Sequence, residues 1–278
     1  MEIINTYPHL INLLDEMQGQ FNFELWKKYA DGISKDLADM LLEDAKDYDF
    51  SKEILPILQL AINSRPAIDE LHNTFLSLTD GINDRFRYFF QTELEVAIVL
   101  YMGLCNGAGW ATKLDGRQAV LLGIEKIIEL NWHDKKTMSG LIYHELGHIL
   151  HFEKINGDYT PKNQREKSLW QLYCEGIAMY CELLLGGSLQ SYHQDKNGWL
   201  DWCEAHKLDI LLEYKRRLAA DESTQDFFGD GAKWRDFSDL GYYLGCQFVQ
   251  SLVPRYSLQE LLTFNLQQIE TEFENWRF

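Results

Sequence analysis

His144-Glu145-Leu146-Gly147-His148 constrains this chain more than any other stretch, because it implies both a helix and what that helix must meet. Two histidines four positions apart share one face of an α-helix, about 6 Å apart along its axis. That separation lets both imidazoles converge on one metal ion. Glu145 stands a fraction of a turn away, where it can hold a water bound to that ion. Upstream, Asp134 is a candidate N-cap and the segment turns apolar towards the motif. Ile142, Leu146, Ile149 and Leu150 fill the positions around the histidines, as in a buried helix. Such a helix must satisfy two imidazoles and a carboxylate, and a metal does so most simply. Two core histidines bonded to neighbours are the plainer alternative.

A catalytic zinc takes three protein ligands and leaves one position for water or substrate. In the metzincin pattern a Gly three residues and a His six residues after the second histidine complete the site; here those positions hold His151 and Lys154. His151 is about 10 Å along the axis from His144, which suits a supporting or groove-facing role. Glu175, in Leu172-Tyr173-Cys174-Glu175-Gly176-Ile177-Ala178-Met179-Tyr180, is the leading third ligand. An unpaired carboxylate in so apolar a helix is costly, and Gly176 and Ala178 let that helix approach its neighbour closely. Glu182, two turns on and on a similar face, is the main rival; Glu166 and a purely structural carboxylate are the others.

His-Glu-x-x-His followed one helix later by Glu-Gly-Ile-Ala resembles the gluzincin zinc peptidases, in particular the peptidase-MA-like group and a bacterial family of predicted zinc-dependent proteases. Gly241-Tyr242-Tyr243-Leu244-Gly245 is similar to that group's downstream Tyr-x-x-Gly segment, and the resemblance covers about residues 95–255. It implies a zincin-like fold and one catalytic Zn2+ on His144, His148 and Glu175. It also implies peptide-bond hydrolysis by a zinc-bound water that Glu145 activates, with Tyr242 or Tyr243 donating to the oxyanion. Met179 stands where the thermolysin-type pattern has Asp, and no Gly-x-Met-Glu-Asn segment marks an aminopeptidase. A peptide could add as a strand to the edge of a small sheet, with Asn106, Gly107 and Trp110 as substrate-binding residues. The competing reading is a zinc-binding regulatory protein with little turnover, against which the intact Glu145 argues.

The remaining sequence sets the frame. Residues 1–90 carry apolar positions at helical spacing and read as an N-terminal helical region, with Pro56 in a first turn and Pro66 at a break. Residues 91–278 read as the metallopeptidase domain. It begins with a small, mostly antiparallel sheet over 95–130, in which 96–102 and 118–124 are partners joined through the turn residues 106–110. A motif helix over 135–154, a polar loop over 156–165, a third-ligand helix over 166–185 ended by Gly186-Gly187, and C-terminal helices follow. The expected class is α+β, predominantly α. No apolar run reaches transmembrane length and the N-terminus lacks a signal-peptide pattern, while five cysteines without a C-x-x-C pair suit free thiols in a reducing cytoplasm. A net charge of −17 argues against nucleic-acid or anionic-membrane partners and leaves a peptide or protein as substrate. His193 and His206 read as surface or capping residues, and Arg255 as a surface ion-pair partner.

Overall fold

Val96–Tyr101 is buried at all six positions, as a β-branched apolar run must be when both its faces are covered. In a computed structural model, which describes residues 1–155, 159–229 and 233–278, this strand, β2, lies inside a four-stranded sheet. With β1 (Glu2–Asn5), β3 (Gly109–Leu114) and β4 (Arg117–Gly123), the order is β1-β2-β4-β3. β1 and β4 both run parallel to β2, and only β3 and β4 are antiparallel. The sheet is therefore mixed, which corrects the expectation of a mostly antiparallel one.

The reason is local. Gly109 and Trp110, expected within a turn, begin β3, and the tight turn falls instead at Asp115-Gly116. Those two residues have φ of 52° and 76°, the left-handed pair of a two-residue hairpin. Because β3 runs back along the sheet's edge, β4 re-enters in the direction of β2. The N-terminal segment is likewise not wholly helical, since β1 precedes its helices.

Two compact units divide the chain, Met1–Glu145 and Leu146–Phe278. The first contains the sheet and helices α1 (Tyr7–Met17), α2 (Phe23–Ile33), α3 (Leu37–Ala45), α4 (Leu55–Ile62), α5 (Arg65–Thr79), α6 (Ile82–Phe90) and α7 (Ile124–Glu129). Pro56 sits in the first turn of α4 as expected. Pro66 also opens a helix, in the first turn of α5, so the break falls just before it. Helix α8 (Lys135–Lys154) runs across the division, so it is common to both units. Its N-terminus is capped by Asp134, whose carboxylate accepts the Thr137 N–H at 3.0 Å.

The second unit continues with α9 (Gln164–Gly186), α10 (Trp199–Ala219), α11 (Leu240–Leu252), α12 (Leu258–Leu261) and α13 (Leu266–Asn275). Gly187, at φ 76°, stops α9 in the left-handed cap that its sequence announces. α9 and α11 meet backbone to backbone: a Cβ on Gly176 would lie 2.4 Å from the Gly245 carbonyl oxygen. In the polar loop, residues 156–158 lie outside the described residues. None of the five cysteines is in a disulfide, and no described helix is long and apolar enough to cross a membrane. The class is α+β, predominantly α.

Candidate metal centre

The motif helix meets α9 at a glycine. A Cβ on Gly147 would lie 2.8 Å from the Ala178 Cα and 2.9 Å from the Cys181 Cβ, so only a residue without a side chain lets the two helices come this close. The helices run antiparallel, with His148 facing Glu175 and Gly147 facing Ala178 and Cys181. Side chains on the shared face therefore reach one another. His148 Nε2 lies 3.2 Å from Glu175 Oε2, and both side chains are largely buried. His144, one turn earlier on the same helix, is buried too.

Ligand atoms of His144, His148 and Glu175 all lie within 4.8 Å of one another. Donors each about 2.0–2.2 Å from one tetrahedral ion stand about 3.3–3.6 Å apart, a spacing that lies inside the 4.8 Å limit of this set. Two imidazoles and one carboxylate form a donor set that a borderline-soft divalent ion such as Zn2+ accepts. The residues present thus fit a metal ion.

A second group of donors, His144, Glu182 and His193, meets the same 4.8 Å criterion and is buried throughout. Glu182 takes the His193 backbone N–H at 2.8 Å and the His193 Nδ1 at 2.7 Å. His193 is thereby a buried residue hydrogen-bonded to a carboxylate, which corrects its reading as a surface or capping histidine. Glu166, the remaining rival ligand, stands at the start of α9, where it accepts the Lys162 N–H and the Tyr159 hydroxyl.

Glu145 is 6% exposed and lies against the first residue of β3: a Cβ on Gly109 would stand 2.6 Å from Glu145 Oε1. β3 is the last strand in the sheet order. The loop before it is held by Glu125, a fully buried carboxylate that accepts the Gly103 N–H at 2.9 Å and the Cys105 N–H at 3.0 Å. Burial pushes its carboxyl pKa up against the opposing pull of these donors.

Of the three residues expected to bind substrate, Asn106 has its side chain committed. Its amide donates to Leu41 O at 2.9 Å and to Asp44 at 2.8 Å, and its oxygen accepts the Leu104 N–H at 3.0 Å. Gly107 is a backbone requirement, with φ 151°. Trp110 is partly exposed and pairs in register with Leu121. Tyr243 is fully buried, its ring 6.2 Å from that of Tyr192 and 6.3 Å from that of Trp199, and burial raises its hydroxyl pKa. Tyr242, half-buried, packs edge-on against Phe228.

His151 is enclosed by Phe152, Trp170 and Tyr173. His206 stacks on Trp202 and contacts that residue's carbonyl at 2.8 Å. Arg255 pairs with Glu272, as a surface arginine does. Sequence reasoning missed Gly109 and Glu125, and the link between Glu182 and His193 was invisible to it. A small residue at the start of an edge strand is the one signal that could have pointed to Gly109. Comparisons of the chain with protein-family models, with curated proteins and with solved structures find no match.

Proposed function

We propose that this chain is a cytoplasmic zinc metallopeptidase of the gluzincin type on a zincin-like fold, with His144, His148 and Glu175 as metal ligands. The observation that carries the reading is the convergence of those three donors within 4.8 Å, with Glu145 on the same helix but outside the set. Bound there, a zinc ion would polarise a carbonyl and acidify water.

Everything else falls to the protein. Glu145 serves as general base and then returns the proton to the leaving amine. Its contact with Gly109 sets the carboxylate beside the outer strand of the sheet. An extended peptide adding along β3 would therefore pass the catalytic carboxylate, with Trp110 as a side-chain contact and Gly107 as part of the backbone approach. Asn106 supports that loop through its bonds to α3 rather than touching substrate. Of the two tyrosines, Tyr242 has the accessible side chain and is retained as donor to the developing oxyanion.

The test compares wild type and Glu145→Gln on a mixed peptide library, with zinc content measured in both. Both should carry one zinc per chain, and the substitution should lower cleavage by about 10²–10⁴-fold. Zinc-loaded wild type that cleaves nothing would favour the regulatory reading, and a wild type that takes up no zinc would remove both.

A further inference from the structure

We propose that Glu182 and His193 form a positioning pair for His144, fixing that ligand's ring so that it meets the metal in one orientation. The inference rests on the metal-centre reading above and deepens it. His144 is the one residue common to the two donor groups: one contains His148 and Glu175, the other Glu182 and His193. A metal-binding imidazole almost always turns its second ring nitrogen to a carboxylate, a carbonyl or another fixed partner. That partner sets the tautomer and ring angle of the ligand.

The pair is built for such a role rather than for holding an ion. Glu182 is 1% exposed, and a carboxylate so deeply buried must be bonded at both oxygens to be tolerated. His193 supplies both bonds, the backbone N–H to Oε1 at 2.8 Å and Nδ1 to Oε2 at 2.7 Å. With Nδ1 on the carboxylate, the ring's other nitrogen, Nε2, lies on the opposite side of the imidazole. An imidazole ordinarily ligates one ion, so with His148 and Glu175 completing that ion's set, Glu182 and His193 are placed to support His144 rather than to hold a second ion. Glu182 is also seven residues from Glu175 on α9, which returns it to nearly the same face two turns on. In the antiparallel arrangement that places Glu175 on His148, it stands towards His144.

The experiment measures zinc affinity of the full chain by competition with a chromophoric chelator, for wild type, Glu182→Gln, His193→Ala and Glu175→Gln. Expected are one zinc per wild-type chain, affinity lower by about 10–100-fold in Glu182→Gln and His193→Ala with stoichiometry kept, and loss of stoichiometric binding in Glu175→Gln. Substitution of Co2+ gives a second readout: its visible band should shift in the two support variants, which a merely structural defect far from the ion would not produce. In ¹⁵N-histidine-labelled wild type, zinc loading should protect one His144 ring N–H from exchange with water. Wild-type affinity in both support variants, or no protected His144 N–H, overturns the proposal while leaving the metal centre standing. Two zinc ions per wild-type chain, one lost in Glu182→Gln, overturns it in favour of a second ion. A wild type that binds no zinc refutes the underlying metal centre.

Discussion

Gly176→Ala tests whether close packing of α9 shapes the site. The added Cβ would lie 2.4 Å from the Gly245 carbonyl oxygen, 2.6 Å from its carbon and 3.0 Å from Val249 Cγ2. Carbon–oxygen contacts settle at about 3.3 Å, so α9 and α11 must part locally by about 0.9 Å. The nearest two obstacles are backbone atoms, and no side-chain rotation relieves them. Overpacking of this kind costs about 1–3 kcal/mol, against which Ala gains up to about 1 kcal/mol of helix propensity. The net loss is then up to about 2 kcal/mol, or up to roughly 8 °C in melting temperature, and about 1–3 kcal/mol relative to a glycine-to-alanine change that meets no obstacle. Gly186→Ala, in the same helix with open space around its Cβ, is the control and should melt at or slightly above wild type. The measurement is paired thermal and urea unfolding of the three proteins. Because Glu175 is the preceding residue in the chain and lies 3.2 Å from His148, the strained variant should also bind zinc more weakly. Gly176→Ala melting with or above the Gly186→Ala control would refute the packing argument.

Two further outcomes are expected. Gly109→Ala adds a carbon 2.6 Å from Glu145 Oε1 and 2.8 Å from its Cγ, and the Glu145 side chain can yield where a backbone could not. Folding stability should stay within about 1 kcal/mol of wild type and zinc content unchanged, while peptide turnover falls by roughly 10²-fold; wild-type turnover would dismiss the contact as incidental. Glu213, on α10, has its carboxyl held down to about 2 by its bond to Arg216 first, then by Arg217. A depressed carboxylate stabilises the fold fully above its unfolded value near 4.5 and loses that stabilisation as pH falls towards 2. Solvent screening limits the loss to about 1 kcal/mol, so Glu213→Gln should flatten the fall in urea stability between pH 6 and pH 2.5 by that amount, and an unchanged slope would refute it.

Elements that carry their own punctuation were legible in the sequence. α8 spans the expected 135–154 because Asp134 caps it, and an apolar face buries Ile142, Leu146, Ile149 and Leu150. α9 begins two residues early, at Gln164, since Asn163 caps it by accepting the Glu166 N–H, and it ends where Gly187 requires. β2 and β4 were legible as strands, but their relative direction was not. Pairing of 96–101 with 118–123 satisfies either direction by hydrophobicity alone, and the short polar β3 decides between them. Its signal was present in Asp115-Gly116, a strong hairpin dipeptide, and was outweighed by the glycines at 107 and 109. β1 is four residues long, too short to reveal a period before the first helix takes over.

At the site, local spacing found the donors on the two helices but could not separate their roles. Glu175 and Glu182 occupy equivalent positions on α9, and a burial cost argues for a partner at each without saying which. The partners come from different distances along the chain. His148 is brought to Glu175 by the helix contact at Gly147 and Ala178, which the small residues of both helices foreshadowed. His193 reaches Glu182 from the segment just after α9, where no periodicity constrains a side chain, so its role could not be read from spacing. Under the proposed arrangement the two carboxylates need not compete for one ligand position. A helix face that carries both, seven residues apart and antiparallel to two histidines four residues apart, has room for one to face the ion and one to hold a ligand. What sorts them is hydrogen bonding: Glu182 bonds His193 through both oxygens, whereas Glu175 directs an oxygen at the second histidine of the motif.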